Sequence, residues 1–492
     1  MTPHRRGARK VVLAVIDALD PAGFERAVSD GRAPALAALM ERGTYVPDCV
    51  SSFPSITPVA ASSIATGLGP ADHLIPSMNW YHRGEERYVE YGSSFPATRT
   101  FGIFRSLQDT VYNMNLAHLT QEHKTVFEHL DDAGLRTACT TYLIYRGRHR
   151  HEPSTDSRYS RLAEAAQFRH AVWGARELFY ADIFDSRGTG CFSTLGMPGQ
   201  RDAHAACVGE HLVENDLFDF LLLSLPDNDT YSHRLGPEAQ PTSIAAADRA
   251  IERLMHAAGG VEAFLEDHAV IVLSDHSQTA IDSSVNLAQA LDSWRLLLPA
   301  DQAPEEAEIA VCPGARSAQV YVLEHERREE LAPRLAEDLR GVEGVDVIVR
   351  RGQDEGVVWT RRGELRFAPG GELVDERGES WSVDGHLDAL AFEVRDGVIS
   401  SEEYPDALAR LWSALDCPRS GDVLLSAAPG VEFMDWGGQD HVGGGSHGSL
   451  HRGDSLGVLL MCGIGPEPAE EHREWAIRDV TPMLLDHFGV NA

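Results

Sequence analysis

Short apolar runs alternate with helical patterns along much of the chain. The runs have the length and composition of buried strands, and the segments between them repeat apolar residues with the period of an amphipathic helix. The predicted strands are Val11–Ile16, Thr137–Leu143, Phe218–Leu225 and Ala269–Leu273, and the predicted helices include Pro34–Glu41, Lys124–Asp132, Ile244–Ala258 and Val480–Phe488. Strands that alternate with helices predict an α/β fold, a doubly wound and mostly parallel sheet with helices on both faces.

Residues 301–409 follow a different pattern, in which apolar and polar residues alternate between glycine-rich turns. This pattern is typical of short strands joined by hairpins, so it predicts a small α+β insertion or cap. We therefore divide the chain into a core made of residues 1–300 and 410–492, and an inserted unit at residues 301–409.

The chain has 492 residues, of which 43% are hydrophobic and 24% charged, as expected for a protein with a large buried core. Its net charge of -32 repels polymeric nucleic acid and anionic membrane surfaces, so we expect neither as a partner. A small anionic substrate would need local positive charge, which a bound metal ion supplies. The sequence is compatible with a homo-oligomer.

The cysteines and the apolar runs indicate the cellular compartment of the protein. The seven cysteines are an odd number without ligand-like spacing, so we expect neither a disulfide framework nor a cysteine zinc site, and a reducing compartment fits. The apolar run before Asp17 has only about six residues, short of the roughly 7–15 in a secretory signal. No stretch of roughly 18 apolar residues predicts a membrane span. We predict a cytoplasmic protein.

Acidic residues and histidines follow three of the predicted strands. Asp17 ends the first strand, Asp275 and His276 follow the fourth, and Asp229 and His233 lie four residues apart just past the third. Ligands bind beyond the carboxyl ends of the strands in such sheets. Each of these residues alone is equally typical of an ordinary loop or strand end.

His447 lies in a glycine-rich loop, where the backbone can approach its neighbours closely. We treat His441 and His451 on either side as outer residues, and Asp227 as a carboxylate that competes with Asp229. The combined set of nitrogen and oxygen ligands suits two zinc-like ions, which can clamp the attacking and leaving oxygens of an in-line displacement. This set is Asp17, Asp229, His233, Asp275, His276 and His447.

Thr57 lies in SFPSITPVAASSIATG, where a proline-flanked turn leads into a predicted helix. A helix N-terminus favours an anion such as a phosphoryl group. The alternative is an ordinary N-cap threonine, followed by Pro58 in the first turn.

In this order, the segments resemble the type I phosphodiesterase/nucleotide pyrophosphatase branch of the alkaline phosphatase superfamily. No single motif is specific, but the ordered set is. The matching segments are VVLAVIDAL with Asp17, PSITPVAASSIATG with Thr57, the Asp-x-x-x-His of Asp229–His233, SDH at Ser274–His276 and GSHG at Gly445–Gly448.

The resemblance implies an alkaline phosphatase-like fold and a hydrolase of small phosphate esters that forms a covalent phospho-threonine at Thr57. It implies two divalent ions, for which the histidines favour Zn²⁺, although Mn²⁺ or Fe suits the same ligands. One ion would be bound by Asp229, His233 and His447, and the other by Asp17, Asp275, His276 and Thr57.

The segment after Thr57 departs from the family pattern, in which an asparagine contacts a nonbridging oxygen. Small residues such as Ala60 and Ala61 cannot do so. Asn79 is a candidate replacement, with Trp80 and Tyr81 as a stacking wall, and an ordinary aromatic loop is an equal alternative.

Arg146 opens a basic cluster that could bind a second phosphate or a carboxylate, or form a surface loop that balances acidic neighbours. The predicted activity is phosphodiesterase or nucleotide pyrophosphatase. The alternatives are a phosphomonoesterase on the same scaffold and a non-catalytic protein that binds metal or ligand.

Overall fold

An eight-stranded sheet forms the centre of the computed structural model, which describes residues 9–154, 168–299, 304–466 and 474–491. Its strands are β1 (Lys10–Ile16), β2 (Thr44–Val50), β3 (Thr137–Cys139), β4 (Glu177–Tyr180), β5 (Phe184–Asp185), β6 (Phe220–Leu225), β7 (His268–Leu273) and β8 (Leu456–Cys462). Their order across the sheet is β2-β8-β7-β1-β6-β3-β4-β5. The five strands from β7 to β4 are parallel, and β2, β8 and β5 are antiparallel to their neighbours.

Both faces of this sheet are buried under helices, as predicted. Side chains of β1 alternate between two apolar cores, with Leu13 in one and Ala14 in the other. One core contains residues of α1 (Thr57–Thr66), Val126–Asp132 and Val480–Phe488, and the other contains residues of Pro21–Ser29, Pro34–Arg42, α2 (Arg201–Glu214), Gln240–Ala257 and Val261–Asp267. The predicted α/β class and mostly parallel sheet are confirmed.

Shorter helices complete the α-helical structure of the described ranges. The one next to the site is α3 (Asp227–Leu235), which follows β6 directly. The others are Pro70–His73, Phe95–Phe101, Ile103–Gln108, the π-helix Asp109–His118, Leu287–Ala290, Arg328–Leu339, Ala407–Asp416 and Arg452–Ser455.

A second, nine-stranded sheet forms most of the predicted insertion. Its strands are Ile309–Gly314, Ser317–Val322, Val345–Arg351, Gly356–Thr360, Gly363–Val374, Ser380–Gly385, Glu393–Arg395, Val398–Ser400 and Val423–Ala427. The last of these strands lies between Ser317–Val322 and Val345–Arg351. The second sheet therefore continues past residue 409, where the sequence analysis placed the return to the core.

Four two-stranded pairs complete the described β-structure, and one of them shapes the site. Thr279–Ala280, just after β7, pairs with Gly445–Ser446, which brings the glycine-rich loop to the edge of the central sheet. The other pairs are Asn79–His82 with Arg87–Glu90, His149–His151 with Val172–Gly174, and Ser283–Val285 with Val431–Phe433.

Cys191 and Cys207 form a disulfide, which the sequence analysis did not predict. The other five cysteines are free and buried. One bond is not a framework, but it weakens the argument for a reducing compartment, since disulfides persist mainly in oxidising ones. None of the helices in the described ranges combines the length and apolar character that a membrane crossing requires.

Candidate metal centre and active site

Asp17 and Asp275 meet because β1 and β7 are parallel neighbours whose carboxyl ends share one edge. The amide of Ala18 donates to Asp275 Oδ1 over 3.1 Å. His276 Nε2 lies 3.6 Å from Asp17 Oδ1 and 3.4 Å from Asp275 Oδ2, and its ring is fully buried. These three predicted residues therefore converge on one point.

Helix α3 presents Asp229 and His233 to the same edge, since β6 lies on the other side of β1. The side-chain amide of Asn228 donates to the carbonyl of Asp17 over 2.8 Å, which ties the first turn of α3 to the end of β1. His233 Nε2 lies 3.3 Å from Asp229 Oδ1. The four-residue spacing places both side chains on one face of the helix, as predicted.

His447 reaches this group from the glycine-rich loop. Its Nε2 lies 3.6 Å from Asp229 Oδ1, and its ring stacks on that of His276 with centroids 3.7 Å apart. The opposite ring nitrogen, Nδ1, donates to the carbonyl of Ser55 over 2.9 Å. This hydrogen bond leaves Nε2, the candidate ligand atom, turned toward the other candidate ligands.

Thr57 is the first residue of α1, and its Oγ1 lies 3.2 Å from His276 Nε2. Ile56 occupies the N-cap position, so the hydroxyl of Thr57 does not cap the helix. The amides of Val59 and Ala60 both donate to the Ile56 carbonyl. The helix dipole remains favourable for an anion, but these two amides are not free to bind one.

These side chains fit a pair of divalent cations. In each of two groups of residues the ligand atoms lie within 4.8 Å of one another: the first group is Asp229, His233 and His447, and the second is Asp17, Asp229 and His276. Asp229 belongs to both. Asp17 Oδ1 is buried without a hydrogen-bond partner among the described residues, as expected of an oxygen reserved for a cation. Carboxylates and imidazoles suit zinc and related ions.

The electrostatics of the site agree with this fit. Burial raises the pKa of Asp17 well above its usual range, and the Asp275 and Asp229 carboxylates add to the effect. Burial also raises the pKa of Asp275 to about 6. It lowers the pKa of His276 to about 4 and that of His447 to about 3, so both imidazoles are neutral at pH 7 and keep a lone pair for a metal.

Two residues that support the site were not predicted. Gln278 donates to Asp229 Oδ1 over 2.5 Å. Glu432 accepts hydrogen bonds from the His441 amide, His441 Nδ1 and Ser446 Oγ, and so holds the loop that carries His447. The position of Gln278, two residues after His276, is the one sequence signal that could have identified either of these supporting residues.

Asp227, His441 and His451 lie outside the ligand groups. Asp227 bonds to Arg201 and to the backbone amide of Gly199, so it does not compete with Asp229. The ring of His441 stacks on that of His233 with centroids 4.2 Å apart. Nδ1 of His451 accepts from the amide of Gly453.

The four predicted substrate-binding residues are buried within the fold. Nδ2 of Asn79 donates to the Val89 carbonyl and to Glu90, and the Trp80 and Tyr81 side chains lie in the core. The predicted stacking wall is therefore wrong for this structure, because long-range packing covers both rings. Asn79, Trp80 and Tyr81 lie in a buried hairpin, in the strand that pairs with Arg87–Glu90.

Arg146 is neither an open anion-binding residue nor part of an exposed surface loop, the two alternatives considered for it. Its guanidinium is buried and pairs with Glu128, while its Nη atoms donate to the carbonyls of Thr120 and His123. The guanidinium therefore stabilises the fold around the Val126–Asp132 helix and presents no charge to a substrate.

The sequence pattern of type I phosphodiesterase/nucleotide pyrophosphatase matches residues 11–450. The chain belongs to this family. The family assignment makes the protein a phosphoester hydrolase by descent and implies dependence on divalent metal, in agreement with the two groups of ligand atoms.

Two solved structures share the fold of this family member. Phosphonoacetate hydrolase from Sinorhizobium meliloti 1021, in complex with phosphonoformate, is 17% identical with a TM-score of 0.55, over 99% of this chain and 97% of that one. Murine ectonucleotide pyrophosphatase/phosphodiesterase 5 is 13% identical with a TM-score of 0.57, over 98% of this chain and 96% of that one. A search of curated proteins finds no match.

Proposed function

We propose that the protein is a two-metal phosphodiesterase or nucleotide pyrophosphatase that uses Thr57 as its nucleophile. The observation that carries this proposal is the position of the Thr57 hydroxyl, 3.2 Å from Nε2 of the candidate ligand His276. Family membership supports the reaction class.

The candidate ligands divide between two cation positions. Asp229, His233 and His447 would hold one ion, and Asp17, Asp275 and His276 the other, beside Thr57. When bound, two divalent ions lower the pKa of a coordinated hydroxyl and neutralise charge on phosphoryl oxygens.

The reaction then proceeds in two steps. Thr57 Oγ1 gives up its proton and forms a bond to phosphorus while the ester P–O bond breaks, and the departing oxygen takes up a proton. Water then loses a proton and attacks the phosphorus of the phospho-threonine from the opposite side, and the Thr57–phosphorus bond breaks. Phosphate or a phosphomonoester leaves, and Thr57 Oγ1 takes up a proton to restore the hydroxyl. Because α1 is buried and fixed along its length, Thr57 is held in place for both steps.

Replacing Thr57 tests the nucleophile directly. We expect Thr57→Ala to lose at least about 10³-fold in kcat for an aryl phosphodiester, with metal content unchanged, since a covalent step is removed. Thr57→Ser is the matched control and should retain part of the activity. Intact mass spectrometry after rapid acid quench should show a phosphoryl adduct on the parent and none on Thr57→Ala.

The outcome that would overturn the proposal is full activity in Thr57→Ala. Activity that survives complete chelation, verified by metal analysis, would overturn the metal requirement. We propose Zn²⁺ as the bound metal on the basis of the three histidine ligands, and reconstitution of the chelated protein with Zn²⁺, Mn²⁺ or Fe²⁺ tests this choice.

A phosphomonoesterase is the second candidate, and the position of Asn79 favours it. The Nδ2 of this residue is committed to the Val89 carbonyl and to Glu90, so it does not serve as the donor that the diester branch uses. Turnover of an aryl phosphate, a bis-aryl phosphate, a nucleotide diester and phosphonoacetate distinguishes the candidates. A monoester rate far above both diester rates would replace our first choice with the second.

The cytoplasm remains our prediction for location, and the Cys191–Cys207 bond counts against it. Cell fractionation combined with thiol labelling of the native protein tests it. Recovery of the protein in an oxidising compartment with this bond intact would contradict the prediction.

A further inference from the structure

Tyr142 lies just beyond β3, at the edge of the sheet that carries the site. Cys139 at the end of β3 is opposite Leu222 of β6, which is opposite Leu13 of β1. Three residues further along each chain are Tyr142, Leu225 and Ile16, directly before Asp17. Tyr142 therefore follows the carboxyl end of β3, at the same edge of the sheet where Asp17 follows β1.

The chain around Tyr142 is fixed by hydrogen bonds to its neighbours. The amide of Thr140 donates to the Leu222 carbonyl, and the amide of Ser224 donates to Thr140 Oγ1. The amide of Ala181 donates to Thr141 Oγ1. The backbone that presents Tyr142 is therefore held by β6 and by the chain that follows β4.

The hydroxyl of Tyr142 is buried and has no hydrogen-bond partner among the described residues, and the side chain is only 5% exposed. Five other buried tyrosines in the described ranges each have one. Their partners are the Leu297 carbonyl for Tyr88, His118 for Tyr91, the Val111 carbonyl for Tyr145, Gln319 for Tyr321 and Asp346 for Tyr404. A buried donor without a partner is costly, so it is retained where a function requires it.

The carboxylates that act on this hydroxyl belong to the site. Burial raises the pKa of Tyr142 well above its usual range, and among the carboxylates Asp275 and Asp17 add to the effect. The phenol therefore keeps its proton at neutral pH and has an O–H group to donate. The side chains of Ala60 and Ala61 have no donor to offer a phosphoryl group, and Asn79 is engaged in its hairpin.

We propose that the Tyr142 hydroxyl donates a hydrogen bond to a nonbridging oxygen of the transferred phosphoryl group. This inference rests on the proposed function, and it gives the site a neutral donor in place of the asparagine. A neutral donor on this oxygen stabilises the charge that shifts onto it during transfer, without adding a cation to the site.

Tyr142→Phe tests the inference, and Tyr145→Phe is the matched control from the same segment. We expect Tyr142→Phe to lower kcat/KM roughly 100-fold and to weaken binding of inorganic phosphate roughly tenfold in calorimetry of the metal-loaded protein. Its Tm should equal or exceed that of the parent, because a buried unpartnered group is removed. Tyr145→Phe should lower Tm and leave both functional values unchanged.

Parent-like kinetics and phosphate binding in Tyr142→Phe would overturn the inference. So would a loss of metal affinity with unchanged phosphate binding at saturating metal, since the hydroxyl would then serve Asp275 or Asp17 instead. Phosphate calorimetry does not require turnover. If Thr57→Ala disproves the nucleophile, the difference in phosphate affinity still decides the role of Tyr142.

Discussion

Replacing Arg316 with methionine removes one half of an ion pair that lies wholly inside the protein. The guanidinium of Arg316 bonds to Asp454, and both side chains have 0% exposure. Its other donors reach the carbonyls of Val431 and Ala428, each over 3.0 Å. The amide of Arg316 also donates to the carbonyl of His447 over 2.8 Å. The pair therefore lies directly behind a candidate metal ligand.

Methionine has a similar volume and no charge, so Arg316→Met leaves the Asp454 carboxylate buried and unpaired. Breaking a buried pair on one side costs about 3–5 kcal/mol. Asp454 retains donors from the Ser449 amide and the Thr279 hydroxyl, which places the expected loss near the lower end, about 3 kcal/mol. This is a large part of the roughly 5–15 kcal/mol that stabilises a typical domain.

Equilibrium unfolding in urea measures this loss, and the double variant Arg316→Met/Asp454→Asn provides the control. Removing the stranded charge should recover at least about 1 kcal/mol relative to Arg316→Met alone. Metal affinity should also fall in Arg316→Met, because Asp454, which accepts from the Ser449 amide two residues after His447, loses its ion-pair partner. A cost below about 1 kcal/mol for the single variant, or no recovery in the double one, would refute the reasoning.

Three other predictions test separate parts of the structure. Arg146→Gln breaks the buried pair with Glu128, which keeps its ion pair with Arg148. Urea unfolding should therefore show a loss near the lower end of the usual range, about 3 kcal/mol in the free energy of unfolding. A raised KM would contradict the assignment of Arg146 to the fold. Burial raises the pKa of Glu90 from 4.5 to about 7, so its protonated form stabilises the fold below about pH 4.5, and this contribution is lost as the pH rises through 7. Thermal unfolding across this range should show the loss, about 3 kcal/mol, in the parent and not in Glu90→Gln. Cys191→Ser removes the disulfide between residues 16 apart and should lower the free energy of unfolding by about 3 kcal/mol. Reduction of the parent should have the same effect. An unchanged free energy of unfolding in either case would contradict a stabilising role for the bond.

The strands and the edge that bears the site could be predicted from local pattern. Buried parallel strands are continuous apolar runs, and the polar residue that ends each run marks the carboxyl edge. Asp17 and Asp275 converge for this reason, and the four-residue spacing of Asp229 and His233 needed only the geometry of one helix turn. Their roles as metal ligands remain predictions.

The environment of the site could not be predicted in the same way. Asn79 and Arg146 have the chemistry of substrate ligands, but each is engaged by a partner that tertiary packing supplies, Glu90 and Glu128. Arg316 supports His447 only because the hairpin of the second sheet packs behind the glycine-rich loop, and no short-range pattern reports such a contact. The pairing of Val423–Ala427 could not be predicted for the same reason, since this strand completes a sheet whose other strands lie far back in the sequence. The division at residue 409 stays a prediction.

The hydrogen bond from His447 to the Ser55 carbonyl spans 392 positions of the sequence, and Asp17 lies a further 38 residues before Ser55. A ribosome must therefore produce the chain through residue 447 before the last imidazole can join the others. Until then, the earlier carboxylates and histidines form at most a partial, weaker site. Cation capture should accordingly follow docking of the segment that carries His447, and not folding of the first strands.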